Sequence, residues 1–180
     1  MRHLPHPPAT PYNLPRPVII DTHLRLSPTC KLLKNYQNGT GRRPWVIGSS
    51  VESGESKLSE DLDKLLRRRT LEEAGARIIQ IPPRKDSNSP QLSIPEILKV
   101  LKDLGICSLM VEGGAKVIGS FLAESIVDVL IITVAPVLVG SDGITYDYPA
   151  GLANGTLEQR FAQKETAIFG DDSVVALTSV

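Results

Sequence analysis

The chain predicts a mixed α/β sheet flanked by helices and closed by a C-terminal antiparallel hairpin. Three observations carry this. Short apolar runs alternate along the chain with stretches whose apolar residues recur at helical spacing. One of those stretches opens on a capping box, and the last two strand-like runs flank Gly170-Asp171-Asp172, a hairpin signal.

Taken in order, residues 1–17 contain six prolines and are expected to form an extended, irregular segment, with a single domain over 18–180. Val18-Ile19-Ile20 and Trp45-Val46-Ile47 are apolar runs suited to buried strands of a parallel sheet, joined by a polar, glycine-bearing connection around Asn35–Arg43. Leu58, Leu62, Leu65 and Leu66 then recur at helical spacing, and Gly75 is placed to end that helix. Arg77–Ile81 reads as a third strand stopped by Pro82-Pro83. In Ser93-Ile94-Pro95-Glu96 the serine can accept from a free N–H while the glutamate reaches back, and the proline's missing N–H is harmless in a first turn. Ile94, Ile97, Leu98, Leu101 and Leu104 form that helix's apolar face. Ile106–Val111 follows as an apolar run expected to lie beside Val127–Val134 in the middle of the sheet, with a helix carrying Val117, Ile118, Phe121 and Leu122 between them. Phe161–Ile168 and Val174–Thr178 make the hairpin.

Composition narrows the function classes. Twenty Lys and Arg balance twenty Asp and Glu, so the net charge of zero gives no general pull towards nucleic acid or an anionic membrane. Arg67-Arg68-Arg69 has acidic neighbours and reads as a solvated helix face before it reads as an anion site. Cys30 and Cys107 are too few for a disulfide framework and lack metal-ligand spacing, and Cys107 reads as a small buried residue. No stretch resembles a secretory apolar region, and Asp128 and Pro136 interrupt the longest apolar run, so the cytoplasm is the expected compartment. His3, His6 and His23 assemble into no metal site, and no nucleophile elbow is present.

The strand–Glu112-Gly113-Gly114–helix junction is where chemistry is best placed. Glycines there let backbone N–H groups approach a phosphate, and the helix N-terminus adds a favourable dipole, although the same pattern also serves as a plain tight turn. It is not the G-x-G-x-x-G fingerprint. A carboxylate at the end of a buried strand needs a partner, which for Glu112 is a helix end, an arginine or a ligand. Gly48-Ser49-Ser50 repeats the arrangement after an earlier strand, as a turn or as room for a ribose or phosphate. No catalytic acid–base pair stands out.

Four segments together carry a resemblance: Arg16-Pro17-Val18-Ile19-Ile20-Asp21-Thr22-His23-Leu24-Arg25-Leu26, Arg43-Pro44-Trp45-Val46-Ile47, the stretch Ser108–Ile118 around Met110-Val111-Glu112-Gly113-Gly114-Ala115, and Thr133–Gly140. In that order they resemble the fungal 2,5-diamino-6-ribosylamino-4(3H)-pyrimidinone 5′-phosphate reductases, relatives of the C-terminal reductase domain of bacterial bifunctional riboflavin-biosynthesis proteins. The resemblance implies a dihydrofolate-reductase-like fold, a homodimer, NADPH as hydride donor and a pyrimidine ribosylamine phosphate as substrate, with no nucleic-acid or membrane partner. It also implies that Gly113, Gly114, Ala115, Lys116 and Val117 line the NADPH phosphates, that Glu112 faces the substrate ribose, and that Ser49 and Ile81 touch the cofactor. Members of the family begin with a further strand and helices, so the chain is expected to be an N-terminally truncated form, with Arg2 the remnant of a phosphate-binding arginine. An inactive remnant of such a reductase, and a same-fold reductase of another pyrimidine or pterin-like compound, are the alternatives.

Overall fold

A computed structural model describes residues 14–50, 58–84, 92–143 and 160–180. Arg2 and most of the proline-rich segment lie outside the described residues. The chain divides into two compact units, residues 1–100 and 101–180.

The first unit is built on three parallel strands in the order β1 (Val18–Ile20), β2 (Trp45–Ser49), β3 (Arg77–Ile81). Val18 aligns with Trp45, and Trp45 with Arg77, so the three strands start nearly level. Helix α1 (Lys31–Gln37) joins β1 to β2, and α2 (Leu58–Glu73) joins β2 to β3. Every residue of β2 is buried, as a continuous apolar run in the middle of a parallel sheet requires. Leu33 from α1 and Leu71 from α2 meet Val46, Leu24 and Ala76 in one cluster, with Ile19, Leu26 and Ile78 packed against it. Complete burial of each such leucine contributes roughly 1.5–3 kcal/mol. Gly48 makes the close fit possible, because a Cβ there would stand 2.7 Å from Leu24 Cδ2.

Helix α3 (Ile94–Asp103) begins in the first unit and ends in the second. Ile94, Ile97 and Leu101 are buried, which is the face the capping-box reading assigns to it.

The second unit holds α4 (Ala115–Ala123) and an antiparallel sheet in the order β4 (Val129–Val134), β6 (Asp172–Ser179), β5 (Phe161–Phe169). Buried Leu122 and Phe161 pack together there, with Ile118, Val127, Leu130 and Leu177 against them. Phe169 aligns with Asp172, leaving Gly170-Asp171 as a two-residue turn in which Gly170 alone takes positive φ, +65°. That is the pattern of a type II′ turn, whose first central position favours glycine. The register slips between Gln163 and Glu165, so Lys164 is an extra residue in β5, a bulge.

Parallel α/β units and the C-terminal antiparallel hairpin are thus both present, and four expectations are corrected. Ile106–Val111 forms no strand and finds no ladder partner among the described residues, and Leu109 and Met110 are exposed. Its continuous apolar run fits a buried strand but does not by itself supply a neighbour to pair with. Among the described residues β4 is correspondingly an edge strand of its sheet, with five of its six residues exposed. Cys107 is exposed. On α2, Leu62, Leu65 and Leu66 are exposed, and the inward positions are Lys64 and Leu71. The connection before β2 is in part helical, since α1 covers Lys31–Gln37.

Candidate functional site

The carboxyl ends of β2 and β3 place Ser49 and Ile81 opposite each other in register, both buried. The Ser50 N–H donates to the Ile81 carbonyl at 2.8 Å, which extends the pairing one residue beyond the strands. The Ser49 hydroxyl is engaged both as donor and as acceptor. It donates to the Thr22 carbonyl at 3.1 Å and accepts from the Lys64 ammonium. The Ser49 N–H also reaches the Thr22 carbonyl, at 3.1 Å, so the turn after β1 is fastened to the end of β2. Asp21 closes that turn, its Oδ2 accepting from the Leu26 N–H at 2.7 Å.

Lys64 is the group that sequence reading missed here. It sits among the leucines of α2 and is only 9% exposed. Burial lowers its pKa, with Arg67 pushing the same way and Asp61 and Asp21 opposing. Its spacing to Leu71, two helical turns on, was the one available signal that it faces inward.

In the second unit the Glu112–Val117 segment is open. Glu112, Gly113, Gly114 and Lys116 are exposed, so the premise that Glu112 is desolvated at the end of a buried strand does not hold. Gly114 is the N-cap of α4 with φ −74° and ψ 168°, and no side chain caps the helix. The first helical bonds run from the Val117 and Ile118 N–H groups to the Gly114 carbonyl, at 3.0 and 3.3 Å. The Ala115 and Lys116 N–H groups precede them and belong to the set that no helix can satisfy internally. A Cβ placed on Gly114 would meet nothing within 4 Å. The segment therefore offers two backbone donors, a helix dipole, the Lys116 ammonium and open space, a set that fits a phosphate group. Ser49 and Ile81 fall in the first unit and residues 112–117 in the second. Among the described residues no group of three or more His, Cys, Asp or Glu could hold a metal ion, and no helix is long and apolar enough to cross a membrane.

Comparison with known proteins adds the lineage. The model of the RibD C-terminal domain matches residues 2–175. A 2,5-diamino-6-ribosylamino-4(3H)-pyrimidinone 5′-phosphate reductase of Debaryomyces hansenii is 33% identical over 141 residues, which is 77% of this chain and 53% of that protein. A protein of the same name from Kluyveromyces marxianus is 29% identical over 133 residues, 72% of this chain and 45% of its own length. The chain thus spans about half the length of these curated relatives. Among solved structures, the Saccharomyces cerevisiae riboflavin biosynthesis reductase Rib7 superposes with a TM-score of 0.63 at 24% identity, covering 92% of this chain and 70% of that one. An Acinetobacter baumannii RibD structure gives 0.64 at 23% identity, covering 92% and 38%. At those identities the two structures speak for the fold.

Proposed function

The chain belongs to the RibD C-terminal domain family, and from that premise we propose that it is an NADPH-dependent reductase of riboflavin biosynthesis. Its substrate would be 2,5-diamino-6-ribosylamino-4(3H)-pyrimidinone 5′-phosphate, the compound in the name of the Debaryomyces hansenii relative, with the ribosylamino group reduced to ribitylamino. The family match along almost the whole chain carries the reading. We place the enzyme in the cytoplasm as a homodimer.

NADPH would supply the hydride, and the protein's part is to bind, orient and exclude water. In this reading the Ala115 and Lys116 N–H groups and the Lys116 ammonium hold a cofactor phosphate. Gly113 and Gly114 keep side chains out of its way, Val117 packs behind it, and Glu112 accepts hydrogen bonds from substrate hydroxyls. At the carboxyl ends of β2 and β3, Ser49 and Ile81 act by position. The Ser49 hydroxyl is already committed to Thr22 and Lys64, so its role is to fix the turn shape against which a cofactor would lie.

The experiment is to follow NADPH oxidation with the diaminopyrimidine ribosylamine phosphate, alongside NADPH affinity of the Gly114→Asp variant. Open space at that Cβ and the extended φ and ψ of an N-cap mean that aspartate fits. Asp is also a preferred N-cap and Gly is only slightly worse, so stability should hold or rise by about 0.3 kcal/mol. Its charge and capping bond would compete for the donors a phosphate needs, and NADPH affinity should fall at least tenfold. An unchanged affinity would place the phosphates elsewhere, and absence of turnover by the parent chain would refute the activity.

A further inference from the structure

We propose that the amino-terminal edge of the β1–β2–β3 sheet is a second ligand site, in which Arg16, Arg42, Arg43 and Arg77 bind a small polyphosphate anion. The parallel register brings these residues together. Val18, Trp45 and Arg77 lie level across the three strands. Arg16 precedes β1 by two residues, Arg43 precedes β2 by two, and Arg77 opens β3. Adjacent strands are about 4.8 Å apart, so one arginine from each of three neighbouring chain segments arrives at the same edge.

Trp45 fixes two of the four. The Arg16 guanidinium lies 4.5 Å from its ring centroid and that of Arg77 lies 4.8 Å from it. Backbone carbonyls position the others. Arg43 donates to the Gly75 and Ala76 carbonyls, both at 3.0 Å, Arg42 to the Leu14 carbonyl at 3.3 Å, and Arg16 to the Arg43 carbonyl at 2.9 Å. These contacts hold the side chains without neutralising them. Among the described residues the ion pairs are Arg68–Glu72 and Arg69–Glu73, and no carboxylate pairs with any of the four. Each guanidinium has five N–H donors, so most of the donors at this edge are left for a ligand or water.

The four charges also feel one another. Partial burial lowers the pKa of Arg16 first, and the charges of Arg42, Arg77 and Arg43 add to it. Arginine does not give up its proton under ordinary conditions, so the repulsion persists as a cost that a bound anion would relieve. Packing on Trp45 explains Arg16 and Arg77, and carbonyl bonds explain Arg43. The carbonyl of Leu14 positions exposed Arg42 but leaves its charge with no acid to meet it among the described residues. Guanidinium is the side chain suited to bidentate phosphate recognition, and four of them call for more than one phosphate. A nucleic acid fits less well. Trp45 is 5% exposed and closed to base stacking, and twenty acidic residues balance twenty basic ones, so the chain as a whole has no net charge to draw it to nucleic acid.

This edge is not the one that carries Ser49 and Ile81. Those residues end β2 and β3, about 13 Å along the strands from where Trp45 and Arg77 begin. The site is therefore separate from the cofactor contacts proposed at the carboxyl edge.

The test is calorimetric titration of the full chain with inorganic pyrophosphate at constant ionic strength, with orthophosphate as the comparison. Pyrophosphate should bind at least tenfold more tightly than orthophosphate. Its affinity should fall severalfold in Arg42→Gln and at least tenfold in the Arg42→Gln/Arg77→Gln double variant. Arg42 is exposed and, among the described residues, bonds to the Leu14 carbonyl alone, so the single variant should keep its fold, with circular dichroism as the check. Gly114→Asp should leave the arginine-dependent component of pyrophosphate binding unchanged, any second and separate component belonging to the α4 N-terminus. The proposal is overturned by no binding, by equal affinity for the two anions, or by binding indifferent to the arginine variants. Loss in Gly114→Asp alone would place the anion at α4 and overturn it too. So would tighter capture of a short single-stranded RNA through the same four arginines, which would make the cluster a nucleic-acid surface.

Discussion

At the scale of single residues, the most consequential group is Lys64, a lysine turned inward beneath the end of β2. Its ammonium donates to the Ser49 hydroxyl, which in turn donates a hydrogen bond to the Thr22 carbonyl. Burial is the largest cause of its lowered pKa. The consequence for stability follows from the sign. A lysine whose folded pKa lies below the unfolded value binds its proton less tightly when folded. Folding is therefore penalised while both states are protonated, and the penalty fades as pH rises through the folded pKa towards the ordinary value of 10.5. Lys64→Met removes this dependence and leaves Ser49 bonded to Thr22. The stability of the parent relative to Lys64→Met should rise between pH 7 and the ordinary lysine value. Urea midpoints of the two proteins across that range would show it, and a constant difference would mean that Lys64 is as well solvated folded as unfolded. Little of this was legible beforehand. Ser49 stood out because small residues end an apolar run, but a lysine among Leu62, Leu65 and Leu66 reads as a solvated position. Its spacing to Leu71 hints otherwise, and the packing of the helix shows it.

Elements were read better than faces. β1 and β3 fall where their apolar runs predict, the hairpin forms around Gly170-Asp171, and α3 buries Ile94, Ile97 and Leu101 as its capping box and spacing imply. These succeed because local chemistry and periodicity agree. Ile106–Val111 fails for a reason that periodicity cannot contain, since strand pairing depends on a neighbour elsewhere in the chain. α1 was passed over because Lys31–Gln37 is short and mostly polar, with Leu33 its only buried residue. α2 shows the limit most clearly. Its leucines at helical spacing suggest one inward face, yet Leu65 is 48% exposed while Leu71 is 1% exposed. Leu71→Ala should therefore cost about 2–5 kcal/mol, the range for emptying a well-packed site. Leu65→Ala, half in water, should change stability by about 0.5 kcal/mol or less. Denaturant unfolding of both variants decides the matter. Equal losses would mean that the leucine stripe of α2 is covered in solution.

For the whole molecule the deciding quantities are its charge balance and the apolar surface it shows. The sequence pI is about 6.8, and acidic and basic residues cancel at neutral pH. Repulsion between copies is thus weakest near the pH at which the protein would work, and a net charge close to zero favours association. Apolar side chains stand ready to use that weakness. Leu138 is 100% exposed, flanked by Val137 and Val139 at 69% and 70%, and Ile168 and Phe169 are 76% and 66% exposed at the hairpin. Exposed apolar residues in succession favour contact between molecules more than isolated ones do. Light scattering at fixed protein concentration should therefore peak near neutral pH and fall on either side, with added salt flattening the profile by screening what charge remains. Leu138→Lys adds one positive charge and removes the most exposed apolar side chain of the Val137–Val139 run. It should lower scattering at pH 7 and leave the unfolding midpoint unchanged, because Leu138 packs against nothing that its loss would disturb. A profile indifferent to pH would show that apolar contact governs association without help from charge. An unfolding midpoint lowered by Leu138→Lys would show that this segment is covered in the folded protein.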